Sequence, residues 1–385
     1  MKRFMRSPRL KVNRLPISGK SKTTIIFVIV IAAIAAVVIV TNFGYLPITN
    51  SADTEQLGTE SSGKEEPNPI VPLDKIVSGG PPPDGIPSID NPKFVSIEEA
   101  DKFLQDGDQV VGLNINGDIR AYPLQILVWH EIVNDNVGGT PVAVTYCPLC
   151  FTNQVFNRTV NGQTLEFGTS GKLYNSNLVM YDRTSKSLWS QALGQAIVGK
   201  HSGIKLDKIP FDVAFWKEWK QLYPNTKVLS RDTGSTRPYG ADPYGNYYTN
   251  NDLFFPVSNK DDRLGLKEII VGLENSGQYK AYKLQQIEDT KVINDVINGK
   301  SIVLFSLHPA MVRAFDTTLD GQKLDFQYDK NSSKITDNQS GSEWNLEGIA
   351  IEGPMKGKHL TRLPFDEGFW FEWVAFHPET DVYTS

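Results

Sequence analysis

One pattern occurs twice in this chain, and a repeated pattern constrains a fold to be built from two like units. Val111-Gly112-Leu113 and Ala121-Tyr122 recur as Val271-Gly272-Leu273 and Ala281-Tyr282, an offset of 160 between positions 111 and 271. Leu124-Gln125 and Asn134-Asp135 recur at the same offset as Leu284-Gln285 and Asn294-Asp295. Gly162-Gln163 and Leu165 return as Gly321-Gln322 and Leu324, and Trp189 returns as Trp344. Pro210, Phe215-Trp216, Trp219 and Pro224 return as Pro364, Phe369-Trp370, Trp373 and Pro378. Conserved order with small drifts in spacing is the mark of duplication followed by loop deletion. The expected copies are residues 75–230 and 265–385, joined by a Tyr/Gly/Pro-rich loop over 231–264 that reads as ordered and groove-lining.

Within a copy, the pattern is mostly strand. Val110 to Tyr122 alternates around Asn116-Gly117, a hairpin signal. Gln154 to Phe167 turns at Asn161-Gly162, and Leu178 to Ser190 turns at Thr184-Ser185-Lys186. Pro141 to Tyr146 is a β-branched strand. Leu124 to Val133 is expected as a short helix, and Phe211 to Leu222 as a second, with Phe215, Trp216 and Trp219 on its packed face. The expected class is therefore α+β, predominantly antiparallel β, as two tandem copies of one β-rich module after a single N-terminal transmembrane helix.

That helix is expected over residues 23–41, where Ile25 to Val40 contains no polar side chain. At about 1.5 Å per residue the run reaches nearly 30 Å, the thickness of a bilayer core. It is too long for a cleaved signal h-region, and Thr41-Asn42-Phe43-Gly44 makes a poor cleavage site. Residues 1–22 hold eight Lys or Arg and no acid, which places that basic tail in the cytoplasm and the body outside it. Residues 42–74 read as a solvated tether. The remaining 31 basic and 44 acidic residues leave a body of net charge −13, unsuited to a nucleic-acid partner. No P-loop, dinucleotide fingerprint or Gly-x-Ser-x-Gly is present.

What only one copy keeps is a candidate for function. The first has Trp129-His130-Glu131, Tyr146-Cys147-Pro148-Leu149-Cys150 and Gly168 to Asn177. The second has Asp289-Thr290-Lys291 and Ser306-Leu307-His308-Pro309-Ala310 at the first two places, and a shorter, unlike stretch at the third. Cys147 and Cys150 are the only cysteines. Three readings compete. A structural disulfide closing so short a loop adds only about 2 kcal/mol. A reactive dithiol makes the protein a thiol-dependent oxidoreductase acting on a protein or small-molecule redox partner. Its reactive groups are Cys147, Cys150 and His130, the imidazole lowering a thiol pKa, with Glu131, Tyr146, Asn175 and Asn177 supporting. A copper- or zinc-binding site uses Cys147, Cys150, His130 and His308. A non-catalytic ligand-binding or interaction protein, using the 237–248 loop, is a further class. Asp182, matched by Asp337, reads as structural, and His201, His359 and His377 as surface or packing residues.

The stretches SGGPPPDGIPSIDNPKF, AYPLQILVWHEIVND, VAVTYCPLC, LYNSNLVMYDR, SLWSQ and FWFEWVAFHPET resemble the bacterial and archaeal family known as domain of unknown function 3179. The resemblance covers residues 75 to 385. It implies redox chemistry at Cys147 or Cys150, because some members of the family are labelled as possible selenoproteins, with selenocysteine in the cysteine motif. It also marks a departure. Phe151 stands where the family more often has Gly.

Overall fold

In the computed structural model, residues 68–384 are described. The expected basic tail, the span over 23–41 and all of the tether up to residue 67 lie outside those residues. Among the described residues no helix is long and apolar enough to cross a membrane. The structure is β-rich, with mostly antiparallel and some mixed sheets and a few short helices.

Turn chemistry sets the register of the hairpins. β1 (Gln109–Ile115) pairs with β2 (Asp118–Pro123), and Asn116 and Gly117 both take positive φ, 52° and 80°. The left-handed pair matches the natural twist of the strands it joins. The same two-residue geometry recurs at Asn161-Gly162 and Asp320-Gly321. The helix expected from Leu124 shortens to α1 (Leu124–Leu127), and β3 (Ile132–Val137) follows. β4 (Thr140–Cys147) and β5 (Thr152–Asn157) complete a three-stranded meander with β3. β6 (Phe167–Tyr174), β7 (Asn177–Asp182) and β8 (Leu188–Ser190) build a second sheet.

The helix expected over Phe211 to Leu222 is corrected. Residues Asp212–Phe215 form strand β9, and helix α2 runs only from Trp216 to Leu222. Four ladder partners on β1 outweigh the local helical pattern. The first amides of α2 bond to Asp108 and Asp106 carbonyls, which replaces a side-chain cap. β10 (Lys227–Leu229) runs parallel to β2, and residues 94–95 pair on its far side as the sheet edge.

The second half runs through β11 (Ile269–Asn275), β12 (Gln278–Lys283), α3 (Leu284–Thr290), β13 (Val292–Ile297), β14 (Lys300–His308) and β15 (Met311–Asp316). It continues with β16 (Phe326–Asp329), β17 (Lys334–Asp337), β18 (Glu343–Trp344), β19 (Asp366–Phe369), α4 (Trp370–Phe376) and β20 (Asp381–Val382). Repeated residues hold repeated contacts. Tyr122 donates to Asp135 at 2.6 Å, and Tyr282 to Asp295 at 2.7 Å. The Trp219 indole donates to Thr226 at 3.0 Å, and that of Trp373 to Thr380 at 2.9 Å. Asp182 accepts from Trp189 and Asp337 from Trp344, so both acids are structural. A Cβ on Gly112 would sit 2.2 Å from the Trp219 ring, and one on Gly272 2.5 Å from that of Trp373. Glycine is needed at both places for the indole to lie flat on the strand.

The halves do not keep to separate sheets. The seven-stranded sheet runs β20-β12-β11-β19-β5-β4-β3, so second-half strands continue into the first-half meander. The seam is a single ladder pair, Glu367 with Asn153. At a second seam the β9 carboxylate of Asp212 takes Arg313 of β15 at 2.8 Å and also Arg362. The main apolar core lies between these layers, with Val111, Tyr122, Val144 and Val155 meeting Val271, Tyr282, Leu304 and Val312.

Candidate functional site

The Cys-x-x-Cys segment is a tight connection between two antiparallel strands. β4 ends at Cys147, β5 starts at Thr152, and these two residues are ladder partners. The Cys150 amide bonds back to the Cys147 carbonyl at 3.3 Å. Closing the turn forces Phe151 to a φ of 55°. Glycine adopts that region without strain, whereas a side chain needs compensation. The Phe151 ring supplies it, stacking on Phe369 at 5.4 Å and meeting Tyr146 and Tyr248 edge-on. The Cys150 carbonyl also accepts the Phe369 amide at 2.9 Å, which pins the turn to β19 of the second half.

Both cysteines carry free thiols. The expectation of a thiol whose pKa is lowered by the His130 imidazole is corrected. Cys147 is 2 % exposed and Cys150 fully buried, and apolar Leu149, Leu178 and Phe369 belong to the same cluster. Burial, foremost, and then the neighbouring Cys147 thiol and Glu372 carboxyl push the Cys150 thiol well above its ordinary pKa.

One side of Cys150 is polar. Asn177 Nδ2 lies 3.2 Å from the Cys150 sulfur, 2.7 Å from Gln191 Oε1 and 3.2 Å from Glu372 Oε1. The Asn177 carbonyl oxygen accepts the Ala192 amide at 3.0 Å, so its nitrogen must face the sulfur. Gln191 donates to Thr145 Oγ1 and to the Thr152 carbonyl, each at 3.1 Å, which fixes its own orientation. Glu372 is buried on α4, and burial raises its carboxyl to about 8. A crevice beyond it is lined by Thr152, Gln154, Asp366, Phe376 and His377. Asp366 there accepts from Gln154 and pairs with Lys208.

The other side is covered by tyrosines. The 231–264 loop lies over the turn, and Tyr247 donates to the Leu149 carbonyl at 2.8 Å. Burial raises the hydroxyls of Tyr146, Tyr244 and Tyr248, with Cys147 among their neighbours. The Lys267 ammonium sits 3.3 Å over the Tyr247 ring.

A buried polar row crosses the sheet beside the turn. The Tyr146 amide bonds to the Glu131 carbonyl, Tyr146 pairs with Asn153, and Asn153 pairs with Glu367. Glu131 and Glu367 are both raised to about 8, mainly by burial. Neither amide atom of Asn153, nor Glu367 Oε2, has a hydrogen-bond partner among the described residues. Each such group costs about 1–3 kcal/mol.

The remaining candidates are dispersed. His130 is buried, with Nδ1 2.7 Å from the Pro87 carbonyl and Nε2 2.6 Å from the Tyr239 hydroxyl. A carbonyl only accepts, so Nδ1 carries the proton and Tyr239 donates to Nε2. Burial holds the imidazole neutral, its pKa lowered. The residue therefore anchors the tyrosine loop instead of activating a thiol. His308 ends β14, where Glu218, Arg313 and Lys291 face it. Among the described residues no group of three or more His, Cys, Asp or Glu is placed to hold a metal ion. The four residues expected as copper or zinc ligands are thus not brought together. Asn175 straps two segments, accepting the Ser258 amide and donating to the Ala375 carbonyl. Glu372, Thr152, Gln191 and Asn153 were absent from the sequence-derived set. By strand register Thr152 and Asn153 correspond to Met311 and Val312, and Gln191 follows Trp189 as Leu346 follows Trp344, so these three differ between the halves. Glu372 was hidden because its matching residue is also an acid, Glu218.

Neither the comparison with curated proteins nor that with solved structures gives a match. Residues 83–380 match the model of the family described as protein of unknown function (DUF3179), and the chain belongs to that family.

Proposed function

We propose that this protein is a membrane-tethered, extracytoplasmic thiol–disulfide protein, made of two copies of one β-rich module, with Cys147 and Cys150 as its reactive pair. The observation that carries the reading is the polar set drawn around one sulfur: Asn177 Nδ2 at 3.2 Å, itself held by Gln191 and Glu372. A structural disulfide needs no such set, and an inert buried thiol is ordinarily surrounded by apolar groups. The matched contacts of Trp219 with Trp373 and of Tyr122 with Tyr282 support the duplication. The apolar run over 23–41 supports the tether.

Cys147 faces the tyrosine loop, and Cys150 lies deeper, against Asn177. In the reaction, the Cys147 thiolate attacks a substrate disulfide and releases one thiolate. Cys150 then attacks the Cys147 sulfur of the mixed disulfide and releases the second. The protein dithiol is oxidised by two electrons, and the substrate disulfide becomes two thiols. The partner is a protein or small molecule that carries a disulfide, and it reaches Cys147 when the loop is displaced.

Redox titration of the full chain in detergent tests the reading. A Cys147–Cys150 potential above about −300 mV, within reach of exchanging thiols, is expected. A value well below that marks an inert bond and ends the proposal. Protease protection of spheroplasts tests the tether, with residues beyond 42 expected to be digestible from outside.

A further inference from the structure

The buried surroundings of Cys150 contain one acid that the exchange chemistry has not yet used. Glu372 comes from helix α4, 222 positions beyond Cys150 in the sequence (372 − 150). An amide nitrogen has two hydrogens to donate. Asn177 Nδ2 nevertheless has three acceptors within reach: Gln191 Oε1 at 2.7 Å, Glu372 Oε1 at 3.2 Å and Cys150 Sγ at 3.2 Å. Gln191 holds the shortest contact, and its other end is fixed by Thr145 and the Thr152 carbonyl. One hydrogen is therefore left for two groups, a thiol and a carboxyl, and each needs it only when charged. Two negative charges at one buried spot repel strongly. The arrangement accommodates one anion at a time.

Resting on the thiol–disulfide reading above, we propose that Glu372 exchanges a proton with Cys150, and that the free Asn177 hydrogen serves whichever of the two is charged. In the resolving step the Cys150 thiol passes its proton to the Glu372 carboxylate. The resulting thiolate, held by Asn177, forms the Cys147–Cys150 bond and expels the substrate thiolate. The Glu372 carboxylic acid then returns that proton to the leaving thiolate or to solvent. Gln154, Asp366 and His377 line the crevice beside Glu372, and Lys208 pairs with Asp366 there. The titratable groups facing Glu372 are Cys150 and Cys147 from the turn, Asp366 from β19, Lys208 from the segment before β9, and His377 at the end of α4. Burial lowers His377 to about 3, which removes it from the relevant range. The raised carboxyl of Glu372 places the exchange near pH 8.

The experiment measures the rate at which a glutathione mixed disulfide on Cys147 is resolved, in the full chain in detergent, against pH. For the wild type the rate should climb through about pH 8 as Glu372 becomes a carboxylate. E372Q keeps the shape and the Asn177 contact but cannot take a proton. It should lose that inflection and resolve about 100-fold more slowly above it. E372D keeps an acid and should restore an inflection at a displaced pH. A purely structural role for Glu372 would not move the pH profile. Wild-type rate and profile in E372Q, with the wild type exchanging normally, overturn the proton exchange alone. Failure of the wild type to form any mixed disulfide overturns the thiol–disulfide reading and this inference with it.

Discussion

The ends of two meanders make the sharpest contrast in the molecule. At the first, between β4 and β5, the buried positions are Thr145, Thr152, Asn153 and Gln154. At the second, between β14 and β15, the matching positions are Phe305, Met311, Val312 and Arg313. Both turns need one residue at positive φ, Phe151 at 55° and Ala310 at 62°. Both lie at a seam with a strand of the other half. The first turn closes on the pair Cys147–Thr152 and the second, after a bulge, on His308–Met311, and the interiors differ more than the backbones do. The second turn is filled by apolar side chains and one neutralised ion cluster. The first carries two thiols, a polar row and three acids of which only Glu372 has a cation, Lys208, among its neighbours, a set that weakens a core rather than stabilising it. This polar burial in only one of two like environments is the contrast on which the proposed thiol chemistry rests.

Four experiments break or sharpen this contrast. The seams should differ most. Arg313 is fully buried against Asp212, and removing it leaves that carboxylate with Arg362 alone. Arg313→Met should cost about 3–5 kcal/mol in denaturant unfolding. Gln154→Met, at the matching place beside Asp366, removes a neutral partner and should cost about 1–2 kcal/mol. Equal losses would mean that the seams are energetically alike. The shared framework should instead respond symmetrically. Trp219→Ala and Trp373→Ala each empty a fully packed site and should each cost about 3–5 kcal/mol, agreeing within about 1. A large difference would break the argument that the halves share one scaffold.

The third prediction concerns pH. Glu131, Glu367 and Glu372 have their carboxyls raised from 4.5 to about 8. Between those values the folded chain holds protons that the unfolded chain has released. Their stabilising contribution is complete below about pH 4.5 and is lost as pH rises through 8. Stability should fall as pH rises through that window, by at most about 1.4 kcal/mol per pH unit for any one group. Chemical denaturation at several pH values should show the slope, and Glu367→Gln should remove one group's share. A flat profile would mean that these acids are compensated in a way the contacts do not show. The smallest effect is expected at Phe151. Phe151→Gly relieves the left-handed strain but loses the stack on Phe369, for a net change within about 1 kcal/mol. Alkylation of Cys147 should become faster, because Phe151 also contacts Tyr248 of the covering loop. An unchanged rate would remove the loop as the barrier to that thiol.

Much of the local structure was legible in the residues. Asn116-Gly117 and Asn161-Gly162 announce their turns because two left-handed residues in a row suit few other side chains. The hairpin expected from Gln154 begins in β5, Thr152–Asn157. The split of Phe211 to Leu222 into strand and helix was not legible, since β9 becomes extended only when β1 lies beside it. His130 was expected near the sulfurs because it lies in a segment peculiar to the first half. Its ring instead meets Pro87 and Tyr239, 43 and 109 positions away in the chain.

The chain's own pattern of residues thus determined the strands, their turns, the paired tryptophan and aspartate contacts, and the one segment able to do thiol chemistry. Those properties follow from backbone preferences and side-chain periodicity, which act over a few residues. Only the tertiary structure decided that both sulfurs are buried, that a tyrosine loop covers them, and that Glu372 reaches Asn177 from the far end of the protein. Such meetings depend on which sheet edges join. The pair Asn153–Glu367, the Phe369 amide on the Cys150 carbonyl and the Arg313–Asp212 ion pair all join residues more than 100 positions apart, beyond the reach of any local signal.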